Sequence, residues 1–107
     1  MITDWQIHRR GADIILGIAV EHAVLDIVTN RVLLAACLAM LEGPHEGLVD
    51  ARMGRFGDHP VTLNVHHDGK VSIFIDGPLF DSGRVQSAAI WVEPDELRNI
   101  LREVLRQ

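Results

Sequence analysis

The sequence predicts an α+β fold, an antiparallel sheet packed against a C-terminal amphipathic helix, and three observations carry that expectation. Apolar residues repeat with helical spacing at the end of the chain, two alternating runs flank Gly69, and a third alternating run leads straight into the helix. The class follows because a striped helix and an alternating sheet each have one face to bury.

The helix is expected over 94–106. Leu97, Ile100, Leu101, Val104 and Leu105 fall at i, i+3, i+4, i+7 and i+8, one stripe on a 3.6-residue period. Pro94 suits the first helical position, whose N–H needs no intrahelical partner. Asp95 and Glu96 place acid at the positive end of the macrodipole, while Arg102 and Arg106 place base near its negative end.

Strands are expected at about 61–66, 70–76 and 85–92. Val61, Leu63 and Val65 alternate, as do Val71, Ile73 and Ile75. A two-residue Asp68-Gly69 turn would set Val65 against Ser72 and mix the two faces, because a one-residue slip inverts every side chain. A three-residue His67-Asp68-Gly69 loop with Gly69 left-handed instead pairs Val65 with Val71, Leu63 with Ile73 and Val61 with Ile75. The third strand continues this scheme, with Ala88, Ile90 and Val92 inward and Val85, Ser87, Ala89 and Trp91 outward. Gly77-Pro78 and Asp81-Ser82-Gly83 punctuate the connection that precedes it.

The N-terminal half is less decided. Ile14-Ile15-Leu16 and Ile18-Ala19-Val20 suit a buried strand or a buried helix equally, and a continuous helix over 12–42 is an alternative. Rich β-branched content and Gly11 favour a hairpin of about 4–9 and 13–21. Asn30 as N-cap, strong helix formers after it and Gly43-Pro44 as a stop predict a helix at about 30–42. Residues 43–60 hold four glycines and two prolines, the composition of a surface connection. Its length suggests a further short element near Leu48–Met53 or a functional loop.

Composition narrows the function classes. The chain has 107 residues, 48% hydrophobic and 23% charged, enough to bury one core as a single α+β domain over 1–107. A net charge of −5 lowers the expectation of general nucleic-acid binding, whose non-specific strength comes from Lys and Arg on phosphates. Asp13, Glu21, Asp26 and Arg31 interrupt the most apolar stretch, so no membrane span is expected. No secretory leader is evident, so the cytoplasm is the default. The single cysteine, Cys37, sits in an apolar run and reads as core.

No catalytic motif stands out: there is no nucleophile elbow, Walker loop, dinucleotide-binding glycine pattern, HExxH or CxxC, and His45-Glu46 lacks a second histidine. Asp50, Asp58, Asp76 and Asp81 occupy ordinary turn positions. His59 and the run His66-His67-Asp68 suggest metal ligands at first sight, but adjacent strand residues point to opposite faces, and Asp68-Gly69 is explained by turn chemistry. No catalytic residue, metal ligand or cofactor is therefore expected.

The most informative feature is the reverse of the C-terminal sheet. The register places Phe74 opposite Thr62 and on the same side as Trp91, with Asn64, His66 and Ser72 beside them. The simplest cover for this face is the N-terminal half of the chain; the alternative is a docking surface for another protein.

The strand order over 61–106, ending in a strand that passes through Glu93-Pro94 into an amphipathic helix, is similar to the C-terminal module of a family of small single-strand-binding proteins. That resemblance implies base stacking on Phe74 and Trp91, with Lys70 and Arg84 as the nearby cations.

Small size, acidic balance and abundant apolar side chains together favour a non-enzymatic interaction module. A small bacterial-type regulator, inhibitor, immunity protein or secretion chaperone fits, with a protein partner or a second copy on the face formed by Phe74, Trp91, Thr62, Asn64, His66 and Ser72. A homodimer is expected because the apolar content exceeds what a thin three-stranded layer and two helices cover. Single-stranded nucleic-acid binding, or a small hydrolase or metal-dependent enzyme using 59–68, are the alternatives.

Overall fold

The computed structural model describes residues 1–43, 47–77 and 87–107. They form β1 (Ile2–Arg10), β2 (Asp13–Val20), β3 (Ala23–Thr29), α1 (Arg31–Glu42), β4 (Val49–Phe56), β5 (His59–Val65), β6 (Val71–Asp76), β7 (Ser87–Val92) and α2 (Pro94–Arg106). All strands belong to one antiparallel sheet of seven in sequential order, with α1 inserted between β3 and β4. Pro44, His45, Glu46, Pro78, Asp81, Ser82, Gly83, Arg84 and Val85, named in the sequence reading, lie outside the described residues.

The β5–β6 hairpin adopts the expected register, with Val61 on Ile75, Thr62 on Phe74, Leu63 on Ile73, Asn64 on Ser72 and Val65 on Val71. Its tip closes as the pattern requires. Gly69 is left-handed at φ 87°, His66 N–H donates to the Lys70 carbonyl at 2.8 Å, and Asp68 accepts from Lys70 N–H at 3.0 Å. His66 falls just past the end of β5.

Helix α2 spans the expected residues, with Pro94 in its first turn and Leu97, Ile100, Leu101 and Val104 buried. They join Val61, Leu63, Val65, Val71, Ile73, Ile75 and Val92 in one core, with Ile90 and Leu105 packed at its margin. Both ends of α2 are tied to distant parts of the chain. Ile2 N–H donates to the Glu96 carboxylate at 2.9 Å, and Arg31 donates to the Leu105 and Gln107 carbonyls, which lack an intrahelical partner. Arg9 also reaches the Gln107 carbonyl, at 3.1 Å.

Helix α1 begins where Asn30 caps it, its side chain accepting from Leu33 N–H at 2.9 Å. It buries Leu34, Cys37 and Leu41, and Glu42 pairs with Arg102 of α2 at 3.0 Å. Both helices therefore pack on the same face of the sheet.

Three expectations are corrected here. The hairpin expected over 4–9 and 13–21 forms as β1 and β2, the alternative continuous helix over 12–42 does not, and residues 23–29, given no element in advance, add strand β3 after Glu21-His22. The surface connection expected over 43–60 is corrected within 47–60: the short element expected near Leu48–Met53 is strand β4, Val49–Phe56, and His59 already begins β5. The layer is accordingly seven strands and not three. The junction is narrow, because the ladder between β3 and β4 pairs only Val28 with Arg55. A buried hydrogen bond reinforces it, from Thr29 Oγ1 to the Met53 carbonyl at 2.6 Å.

Candidate functional site

Alternation along β4 to β7 sorts the side chains. Inward residues meet the helices, and outward residues form two adjacent rows across four strands. One row runs Asp50, Asn64, Ser72, Trp91, and the other runs Arg52, Thr62, Phe74, Ala89. Phe74, Trp91, Thr62, Asn64 and Ser72 thus share this outer face as the sequence predicts, with His66 joining them at the end of β5.

The N-terminal half does not cover them. Its strands extend the sheet sideways and both helices occupy the opposite face, so Trp91 is 54% exposed and Phe74 half-buried. The simplest expectation fails because β1–β3 satisfy their backbone groups by edge pairing, which adds width and no second layer.

The centre of the face is ordered by a small polar contact. The His66 ring lies 4.9 Å from Trp91, tilted by 40°, and its Nε2 shares a hydrogen bond of 3.2 Å with Ser72 Oγ. A Ser–His contact of this length has the reach of a nucleophile and base. Ser72 is only 2% exposed, however, so a substrate carbonyl has no approach to its hydroxyl. The contact gives a buried hydroxyl a hydrogen-bond partner and sets the His66 ring against the indole.

A groove of about 650 Å³ runs beside Trp91, lined among others by Met1, Asp68, Lys70, Val71 and Pro94. Its ionisable side chains, Asp68 and Lys70 of the hairpin turn and Glu93 at the start of α2, are exposed. Asp68 is held below the usual carboxylate range, chiefly because it accepts the Lys70 N–H. Among the described residues, no three His, Cys, Asp or Glu side chains converge as a metal site would need. No helix of the described residues is long and apolar enough to cross a membrane.

Asp50 and Arg52 are the part of the face that the sequence did not assign, their strand being expected only as one of two readings, a short element near Leu48–Met53. Val49-Asp50-Ala51-Arg52-Met53 alternates apolar and charged residues, the signature of a half-buried strand. The glycines and prolines around it masked that signal. Both charged side chains are exposed, and Arg52 Nε donates to the Gly54 carbonyl at 2.6 Å.

Comparison with protein-family models, characterised proteins and solved structures finds no match for this chain.

Proposed function

We propose that this protein is a non-enzymatic interaction module that works by docking another protein on the outer face of β4–β7. The observation that carries the reading is Trp91, more than half exposed with the His66 ring 4.9 Å from it, beside half-buried Phe74. A tryptophan side chain has two rotatable bonds and loses little entropy on binding, which is why such residues anchor interfaces. Covering the exposed part of the indole removes on the order of 130 Å² from water, worth roughly 3 kcal/mol.

The remaining residues suit the rim and floor of an interface. Thr62 and Asn64 offer donors and acceptors, while Asp50 and Arg52 offer opposite charges at the β4 side. Regulators, inhibitors, immunity proteins and secretion chaperones all act in this way, by occupying a surface.

The test is the double variant Phe74→Ala/Trp91→Ala. Association measured by sedimentation should be lost while circular dichroism and urea unfolding stay close to wild type. Unfolding of the variant would assign both aromatics to the core, and unchanged association would place docking elsewhere. Retention of the wild type on single-stranded DNA, released by salt, would transfer the face to nucleic acid.

A further inference from the structure

We infer that the occupant of the outer face is a second copy of this chain, related by a two-fold axis that lies across the strands between the two outward rows. The assignment rests on the reading of this face as a docking surface and names its partner. Its basis is self-complementarity in the register. The axis lays each row over the other row of the second copy, so Asp50 meets Arg52, Asn64 meets Thr62 and Trp91 meets Ala89, while Phe74 lies over the position of the buried Ser72.

The three contacts are favourable, and each occurs twice. The charges are opposite, the amide faces a hydroxyl, and the indole faces a small side chain that leaves room for it. The other in-plane axis, along the strands, sets Asp50 on Trp91 and Thr62 on Phe74. That arrangement sets a carboxylate against an indole with no counter-charge across the interface. Sheets packed face to face keep their strands within about 30° of alignment, which a two-fold across the strands permits.

The patch is four strands wide. At ~4.8 Å per strand and ~3.3 Å per residue it is smaller than the roughly 800 Å² each partner contributes to a standard interface. A dimer of micromolar affinity is therefore expected, with the Asp50–Arg52 pairs setting register more than strength.

Charge reversal tests the assignment. Wild type should sediment at twice 11.9 kDa at high micromolar concentration. Asp50→Arg and Arg52→Asp alone should each sediment as monomers with unchanged circular dichroism. Mixed together they should recover the dimer mass, since each then supplies what the other lacks, and the double reversal in one chain should recover it too. A monomeric wild type overturns the assignment, as does a dimer indifferent to both reversals.

A photo-crosslinking residue in place of Ala89 separates this failure from failure of the docking reading. In cells, a product of twice the chain mass supports the second copy. A product of another mass overturns the second copy alone, and no product overturns both.

Discussion

Gly54 is the position where one atom matters most. It sits at the β4 bulge, where a Cβ would overlap the Val28 carbonyl oxygen and stand 2.8 Å from Ile27 Cγ2. Neither can retreat, because Ile27 is fully buried and the Thr29–Met53 hydrogen bond clamps the same crossing. Gly54→Ala should cost about 3 kcal/mol in urea unfolding, the scale of overpacking in a dense core. An unchanged midpoint would show that β3 and β4 slide freely. Cys37 carries a second prediction at this scale. Burial pushes its thiol up to about 12 from 9.0. The folded chain therefore holds a proton that the unfolded chain releases above pH 9, so stability should fall as pH rises from 9 towards 12. In native protein at pH 8 a thiol reagent should leave Cys37 unmodified and label it only in denaturant; rapid labelling would contradict its placement.

At the scale of elements, α2 is held by its stripe and by both of its ends. Leu101 is fully buried, so Leu101→Ala should cost about 2–5 kcal/mol. Asn30→Ala should cost about 1 kcal/mol through the lost α1 cap. Equal midpoints for both variants would contradict the packing. The same comparison explains what could be read in advance. Helix α2 and the β5–β6 register were legible because long stripes and a Gly69 turn leave few alternatives. Strand β3 was not, because its turn, Glu21-His22, contains no Gly, Pro or Asn to mark it, and no non-glycine residue there or elsewhere among those described has positive φ. Strand β4 was legible only as one of two readings, a short element near Leu48–Met53, because Gly54 and Gly57 obscured it. Gly54 serves a bulge and Gly57, at φ 60°, the turn after it, so both belong to a hairpin where a glycine-rich stretch suggested a connection.

For the whole molecule, the decisive asymmetry is that both helices lie on one side of the sheet. The aromatic pair was legible as a shared face, because register follows from alternation. Whether that face is covered was not legible, since cover depends on where β1–β3 go, and edge pairing versus layering leaves no trace in local sequence. Trp91 reports on the outcome directly. Trp5 is partly buried against the core, so a Trp5→Phe chain isolates the emission of Trp91. On raising the concentration through the micromolar range, that emission should move to the blue as the indole is covered, and Asp50→Arg in the same background should hold it at the red, solvent-exposed position. Emission that is independent of concentration, and identical in the two chains, would contradict a sheet face closed by a second copy.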